Sequence, residues 1–421
     1  MPRSIVVLCS IACLLYGVAP LCAKSSEEQA KALDHSIDLG GAIEDADVSP
    51  SGEYVSGAVR KCEMSEGSRT CTLFIEVWSS ADSKRVANRT LLTNVGEVAV
   101  GIRFSADGRV LLVSDGKGKL RLWQTRDLSE INSIDLGFMS ADSRNLQEKD
   151  NQETARLSKL TGYRMIPSAP RVMQIETSPS APLVAVVISV GGSEIIRVFD
   201  LLSGELLHSW SFPDAFRARP ISWSQDGKRI ALFLPNMRGF KHPERTDPAN
   251  LLIYDLVSGQ LTAKFEIKEA EDLDAWAPEA PAERRGRVIF LGDDLIVSTR
   301  RTPDTFFRPT LRLLDSTTGR TIRTIGAEGT GVRDPIAASA DGKVLLGFVG
   351  RVQKVMDREL NSRDVAVDTR ICVWKMPAGK PAFTSEELPL IPNRASFRLN
   401  STGNWIIGFD QGTKLLVLKL T

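Results

Sequence analysis

Phe104-Ser-Ala-Asp-Gly108, followed by Val110-Leu-Leu-Val113 and then by Leu120-Arg-Leu-Trp123, is the stretch on which the fold turns. A short apolar run, a tight turn containing Ser, Asp and Gly, a second apolar run and a third run of alternating character describe antiparallel strands. Period-two alternation marks the strands, and Gly accepts the positive φ that the turn needs. The same unit recurs as Val48-Ser-Pro-Ser-Gly52 before Tyr54-Val55, Trp223-Ser-Gln-Asp-Gly227 before Ile230-Ala-Leu-Phe233, Ala338-Ser-Ala-Asp-Gly342 before Val344-Leu-Leu346, and Leu399-Asn-Ser-Thr-Gly403 before Trp405-Ile-Ile407. Two weaker copies, Thr177-Ser-Pro-Ser-Ala181 and Leu291-Gly-Asp-Asp294, fill the gaps and bring the count to seven.

Each copy is followed by a strand closed by an aromatic residue or leucine: Phe74 to Trp78, Leu120 to Trp123, Ile196 to Asp200, Leu252 to Asp255, Leu311 to Asp315, Ile371 to Trp374 and Leu415 to Leu418. Turn dipeptides Ser203-Gly204, Ser258-Gly259 and Thr318-Gly319 then lead into one more strand. Seven four-stranded antiparallel units of about 45–60 residues predict an all-β, seven-bladed β-propeller. A β-sandwich does not account for seven near-equivalent copies. The second strand of each unit is apolar almost throughout, as expected of a strand packed on both faces between neighbouring blades. Leu33-Asp-His-Ser-Ile-Asp-Leu-Gly40 matches Glu130-Ile-Asn-Ser-Ile-Asp-Leu-Gly137, the outermost strand of the second unit, while the last unit stops after three strands. The N-terminal strand is therefore expected to complete the last blade and leave no open edge.

These motifs resemble the WD40-like propellers, including the quinoprotein amine dehydrogenase-like group, across the chain from residue 33 onward. Phe199-Asp200, Tyr254-Asp255 and Leu314-Asp315 stand where that family has Trp-Asp, and its Gly-His dipeptide is absent. The resemblance implies a propeller that works by binding.

A basic start, the apolar run Ile5 to Leu21 and the small residue Ala23 before the polar Lys24-Ser-Ser-Glu27 have the parts of a secretory signal peptide. Residues 1–23 are read as signal, 24–32 as a polar linker and 33–421 as one propeller with a charged insertion at about 138–168. An exported, periplasmic or secreted protein without stable membrane insertion follows; the alternative is a tether formed by an uncleaved N-terminal segment, since the run reaches roughly spanning length. Cys62 and Cys71 flank a polar, Gly-containing link at hairpin spacing, which predicts a disulfide in an oxidising compartment. Cys372, between Ile371 and Val373, reads as a buried thiol.

The charge balance of 53 Lys+Arg against 52 Asp+Glu, a net +1, gives no reason to expect nucleic acid as a partner. Three histidines, none in a recognisable motif, do not support nucleophilic or metal chemistry, and no Gly-rich phosphate loop opens a helix. No cofactor, metal site or catalytic residue is predicted. Individuality lies in the long connections between second and third strands: 235–247 in the fourth unit, 300–309 in the fifth and 350–369 in the sixth. They carry Arg238, Lys241, Arg300, Arg301, Phe306, Phe307, Arg308, Arg351 and Arg358, a mix of basic and aromatic residues suited to binding a protein or peptide. A non-catalytic scaffold is the expected function. The alternative is a propeller enzyme or small-molecule binder using the central channel, which inward carboxylates and arginines converging from different blades would favour. The insertion Ser140 to Gly162, highly charged, reads as a short exposed helix or a disordered loop.

Overall fold

The computed structural model describes residues 33–420 apart from 66–67, 94–99, 162–168, 191–192, 213–218, 235–248, 268–287, 300–309, 326–330, 357–361, 377–379, 385–395 and 410–411. Strands group into seven four-stranded antiparallel sheets. The first holds β2 (Ala42–Val48), β3 (Tyr54–Ser65), β4 (Ser68–Ser79) and β5 (Arg85–Leu92). The second has β6 (Ile102–Phe104), β7 (Val110–Ser114), β8 (Lys119–Gln124) and β9 (Glu130–Asp135), and the third β10 (Arg171–Thr177), β11 (Leu183–Val190), β12 (Ser193–Asp200) and β13 (Leu206–Phe212). The fourth comprises β14 (Arg219–Trp223), β15 (Arg229–Leu234), β16 (Ala249–Asp255) and β17 (Leu261–Ile267). The fifth comprises β18 (Val288–Leu291), β19 (Asp294–Thr299), β20 (Thr310–Leu314) and β21 (Thr321–Ile325), and the sixth β22 (Gly331–Ala338), β23 (Val344–Met356), β24 (Ser362–Lys375) and β25 (Lys380–Thr384). The last sheet joins β26 (Ser396–Leu399), β27 (Trp405–Phe409) and β28 (Lys414–Lys419) to β1 (Leu33–Asp38), with Ile37 opposite Leu415.

Within each sheet the strands run a to d from the centre outward. The a strands touch in succession, β2 to β6, β10, β14, β18, β22 and β26, and β26 touches β2 again, so the ring is closed. It is a seven-bladed β-propeller, sealed by the N-terminal strand. The repeated Ser-Ile-Asp-Leu-Gly does the same work twice: Leu39 and Leu136 are both buried, and Gly40 and Gly137 both turn at positive φ.

The apolar b strands follow from burial on both faces. In β11, Val184, Val186 and Ile188 pack back on Leu112 and Leu122 of the second blade, while Ala185 and Val187 pack forward on Ile221 and Trp223 of the fourth. The a–b turns are built alike. Ser105 Oγ accepts Val110 N at 3.0 Å and donates to Asp107 Oδ1 at 2.6 Å, and Ser224 with Asp226 and Ser339 with Asp341 repeat the pattern. Gly342 (φ 68°) is required twice over, because a Cβ there would collide with the backbone of Gly292 in the neighbouring blade. In the last blade Asn400 takes the place of serine. Its Oδ1 accepts Trp405 N at 2.9 Å and its Nδ2 donates to Pro50 O at 3.0 Å in the first blade, tying the ring's ends together.

Alternating strand direction puts the a–b and c–d turns on one face of the disc and the b–c and d–a connections on the other. Among the described residues no helix is long and apolar enough to cross a membrane.

Candidate functional site

Two places stand out: the channel, and the face that bears the b–c and d–a connections. The channel is lined from the a strands, whose side chains alternate between the inter-blade core and the ring's interior. Arg103 on β6 is almost fully buried and joins three blades. Its Nη1 lies 3.0 Å from Asp45 Oδ2 on β2, its Nη2 3.1 Å from Glu176 Oε1 on β10, and its Nε 3.4 Å from Glu176 Oε2. Arg398 on β26 stands 3.6 Å from Asp45 Oδ1. Arg398 also acts electrostatically on Glu176, three blades away round the ring.

The same side chains hold adjacent a strands together. Asp45 Oδ2 accepts Ile102 N at 2.9 Å and Asp47 Oδ2 accepts Phe104 N at 2.8 Å; further round, Ser222 Oγ accepts Phe290 N at 2.8 Å. Burial raises the Glu176 carboxyl, but Arg103 and Arg398 outweigh it and hold the group below its ordinary value. Asp47 differs. Burial pushes it up from 3.8 to about 6, against the pull of Arg103 and Arg398 and the hydrogen bond from Phe104. Arg103 itself is penalised by burial, yet Glu176, Asp45 and Asp47 hold it firmly charged. Asp45, Arg103 and Glu176 thus answer one another and act as an inter-blade lock.

On the opposite, connection-bearing face, two ribbons and a helix rise from the disc. β3 and β4 stay paired as far as Ser65 opposite Ser68, beyond the reach of β2 and β5. An isolated two-stranded ribbon is only marginally stable in water. Here it is crosslinked: Cys62 and Cys71 face one another across the ladder and form a disulfide. The second ribbon overturns the sequence expectation of a long loop at 350–369. β23 and β24 remain paired to Met356 opposite Ser362, so only 357–361 lies outside the described residues. Backbone pairing simply continues past the blade, by about 20 Å at the rise of an antiparallel strand. Arg351 therefore sits within β23, opposite Val367, rather than in a loop.

The charged insertion forms the helix α1 (Ala141–Thr161), about 30 Å long at the usual rise. Ser140 caps it, accepting Ser143 N at 3.3 Å, and Arg197 of β12 donates to Ser140 Oγ at 2.9 Å and to Leu136 O. Leu146 packs on the core between the second and third blades, and Ser143, Asp150 and Thr154 are buried along the same side.

Arg238, Lys241, Arg300, Arg301, Phe306, Phe307, Arg308 and Arg358, together with His242, lie outside the described residues. His208 is structural: it stacks on Trp210 at 5.3 Å and bonds Leu256 O at 2.7 Å. Asp200, Asp255 and Asp315 close the c–d turns, accepting Ser203 N, Ser258 N and Thr318 N at 2.7–2.8 Å. Cys372 is a buried thiol outside any disulfide. Among the described residues no group of three or more His, Cys, Asp or Glu is placed to hold a metal ion.

Sequence reasoning missed the channel residues, although a signal existed. Aligned on Ser49, Ser105, Ser178, Ser224, Ser339 and Asn400, the residue two positions earlier is Asp47, Arg103, Glu176, Ser222, Ala337 and Arg398, charged in four adjacent blades.

The fold defines the class, a seven-bladed β-propeller whose arrangement is compatible with the WD40-like type. No protein-family model and no curated protein sequence matches the chain.

Proposed function

We propose that this protein is an exported, non-catalytic propeller of WD40-like type that holds a protein or peptide partner on the face bearing the two ribbons and α1. Arginines and carboxylates do converge in the channel, the feature that would favour a channel enzyme or small-molecule site, but Asp45, Arg103 and Glu176 are engaged with one another in the inter-blade lock. The observation that carries the reading is that the β3–β4 ribbon and the β23–β24 ribbon extend beyond their blades, and α1 lies against the ring, all on one face of a closed ring, the ribbons flanking the last blade. Among the described residues the other face has only short, self-capped turns. Excursions on a rigid scaffold present contact area at little cost in ordering. Export is supported by the N-terminal apolar run and by the Cys62–Cys71 disulfide, which a reducing cytosol disfavours.

The test is capture of a partner from the envelope fraction of the source, followed by measured affinity. Replacing 351–367 by an Asn-Gly turn, or changing Phe306, Phe307 and Arg308 to Ala, is expected to weaken binding by about tenfold or more. Leu202→Ser with Val257→Ser, on the exposed c–d turns of the opposite face, is the control. Equal loss from both sets, or loss only from the control, would put the binding face on the wrong side of the disc.

A further inference from the structure

Two channel groups are left over when the inter-blade lock is accounted for. Arg398 makes no hydrogen bond among the described residues; its nearest partner, Asp45 Oδ1, is at 3.6 Å, and its Nε is buried without an acceptor. Among the described residues Asp47 receives a single hydrogen bond, from Phe104 N to Oδ2, and forms no ion pair. Native interiors rarely leave a buried guanidinium nitrogen or a carboxylate so incompletely answered. The two stand at the same level of adjacent blades, each two residues before its a–b turn, on strands that touch, and Arg398 acts electrostatically on Asp47. Arg398 keeps about a quarter of its side chain exposed (27%) although it lies on an innermost strand, so the channel gives access to it.

The complementarity decides the ligand class. A simple anion would satisfy Arg398 but would meet three carboxylates, Asp45, Asp47 and Glu176, and leave Asp47 unanswered. A simple cation would pair with Asp47 but leave the donors of Arg398 idle and add to the charge of Arg103 and Arg398. A ligand carrying both charges suits both groups. We propose that the channel binds a small zwitterion of the amino-acid kind, its carboxylate on the guanidinium of Arg398 and its ammonium on the carboxylate of Asp47. Arginine's planar fork fits a carboxylate through two parallel hydrogen bonds, and an ammonium is a compact donor for the aspartate. The site is separate from the ribbon-bearing face, and neither proposal depends on the other.

The experiment titrates the full chain with glycine, β-alanine and γ-aminobutyrate, and with acetate and methylammonium as single-charge probes, by calorimetry and ligand-observed NMR. Saturable binding of at least one amino acid, at about millimolar affinity or tighter and about tenfold stronger than acetate or methylammonium, is expected. The preferred chain length measures the gap between Asp47 and Arg398. Arg398→Met and Asp47→Asn, the latter keeping an acceptor for Phe104 N, should each weaken that binding by about tenfold while the ring still unfolds in one cooperative transition. Trimming the β23–β24 ribbon should leave it unchanged, which separates failure of this site from failure of the partner face. Absence of saturable binding by all three amino acids, acetate binding as tightly as they do, or binding that survives both channel variants overturns the proposal.

Discussion

Removing the positive charge at the hub of the lock tests whether it holds the blades together. Arg103→Met keeps most of the stem and deletes the guanidinium that bridges Asp45 at 3.0 Å and Glu176 at 3.1 Å. Breaking a buried pair from one side costs about 3–5 kcal/mol, because the surviving charge is stranded away from water. Glu176 retains a quarter of its side-chain exposure (25%) and Asp45 still faces Arg398, so the lower end, ~3 kcal/mol, is expected. With unfolding entropy near 2.1 cal/mol/K for each of roughly 390 residues, that lowers Tm by about 4 °C. The pH dependence identifies the cause. In the wild type Glu176 is held below its ordinary value, so its contribution is present above the carboxylate range and is lost as pH falls through it. In the variant, burial of Glu176 is opposed by Arg398 but no longer by Arg103, and its stranded carboxylate takes up a proton more readily. Urea unfolding at pH 7.5 and at pH 4 should therefore show a deficit that shrinks in acid, and adding Glu176→Gln should return part of it at pH 7.5. A deficit below about 1 kcal/mol, or one equally large at both pH values, would mean that Arg103 matters for packing and not as a charged bridge.

Asp47→Asn should act in the opposite direction. The folded-state value is raised from 3.8 to about 6, so the fold favours the protonated form, and the contribution of Asp47 to stability, full below about 4, is lost as pH rises through 6. Asparagine mimics the neutral carboxyl at every pH, so the variant should gain about 2 kcal/mol over wild type at pH 7.5, of a ceiling near 3, and nothing at pH 4; equal stabilities at pH 7.5 would refute a destabilising charge there. Cys62→Ser with Cys71→Ser should leave the ring's Tm within about 2 °C, because the disulfide lies beyond the four-stranded part of the blade, while amide exchange at the ribbon tip, residues 61–65 and 68–72, accelerates by at least about tenfold. A collapse of the whole ring, or unchanged exchange at the tip, would contradict the division between ring and ribbon.

Much of the fold was legible because its signals are local. The Ser-x-Asp-Gly turns are made by hydrogen bonds between residues two to five apart, and the alternation of each strand is read over a few positions. The closing strand was legible because Leu33 to Gly40 repeats Glu130 to Gly137, and the disulfide because its half-cystines flank one hairpin. The β23–β24 ribbon was not legible. With no third strand and no inter-blade face to satisfy, nothing forces residues 351–367 into the apolar patterning that marks a blade strand, and their polar sequence reads as a loop. The helix was legible only as one of two options, since its hold on the ring comes through Leu146 and Arg197, the second from a different blade.

Sequence alone therefore determined the repeat, the number of sheets, the closure of the ring and the Cys62–Cys71 pair, each set by contacts within one unit or by direct copying of one unit's strand. Tertiary structure alone decided what the channel contains. Arg103 meets Asp45 from 58 positions earlier and Glu176 from 73 positions later, because three successive blades turn their first strands toward one axis. The shared register two residues before each a–b turn marks Arg103, Glu176 and Arg398 as equivalent positions, but it does not encode which of them meet. That convergence arises only when the ring closes and side chains from the first strands of different units are brought together, largely buried, where each charge must find a partner or keep a place for one.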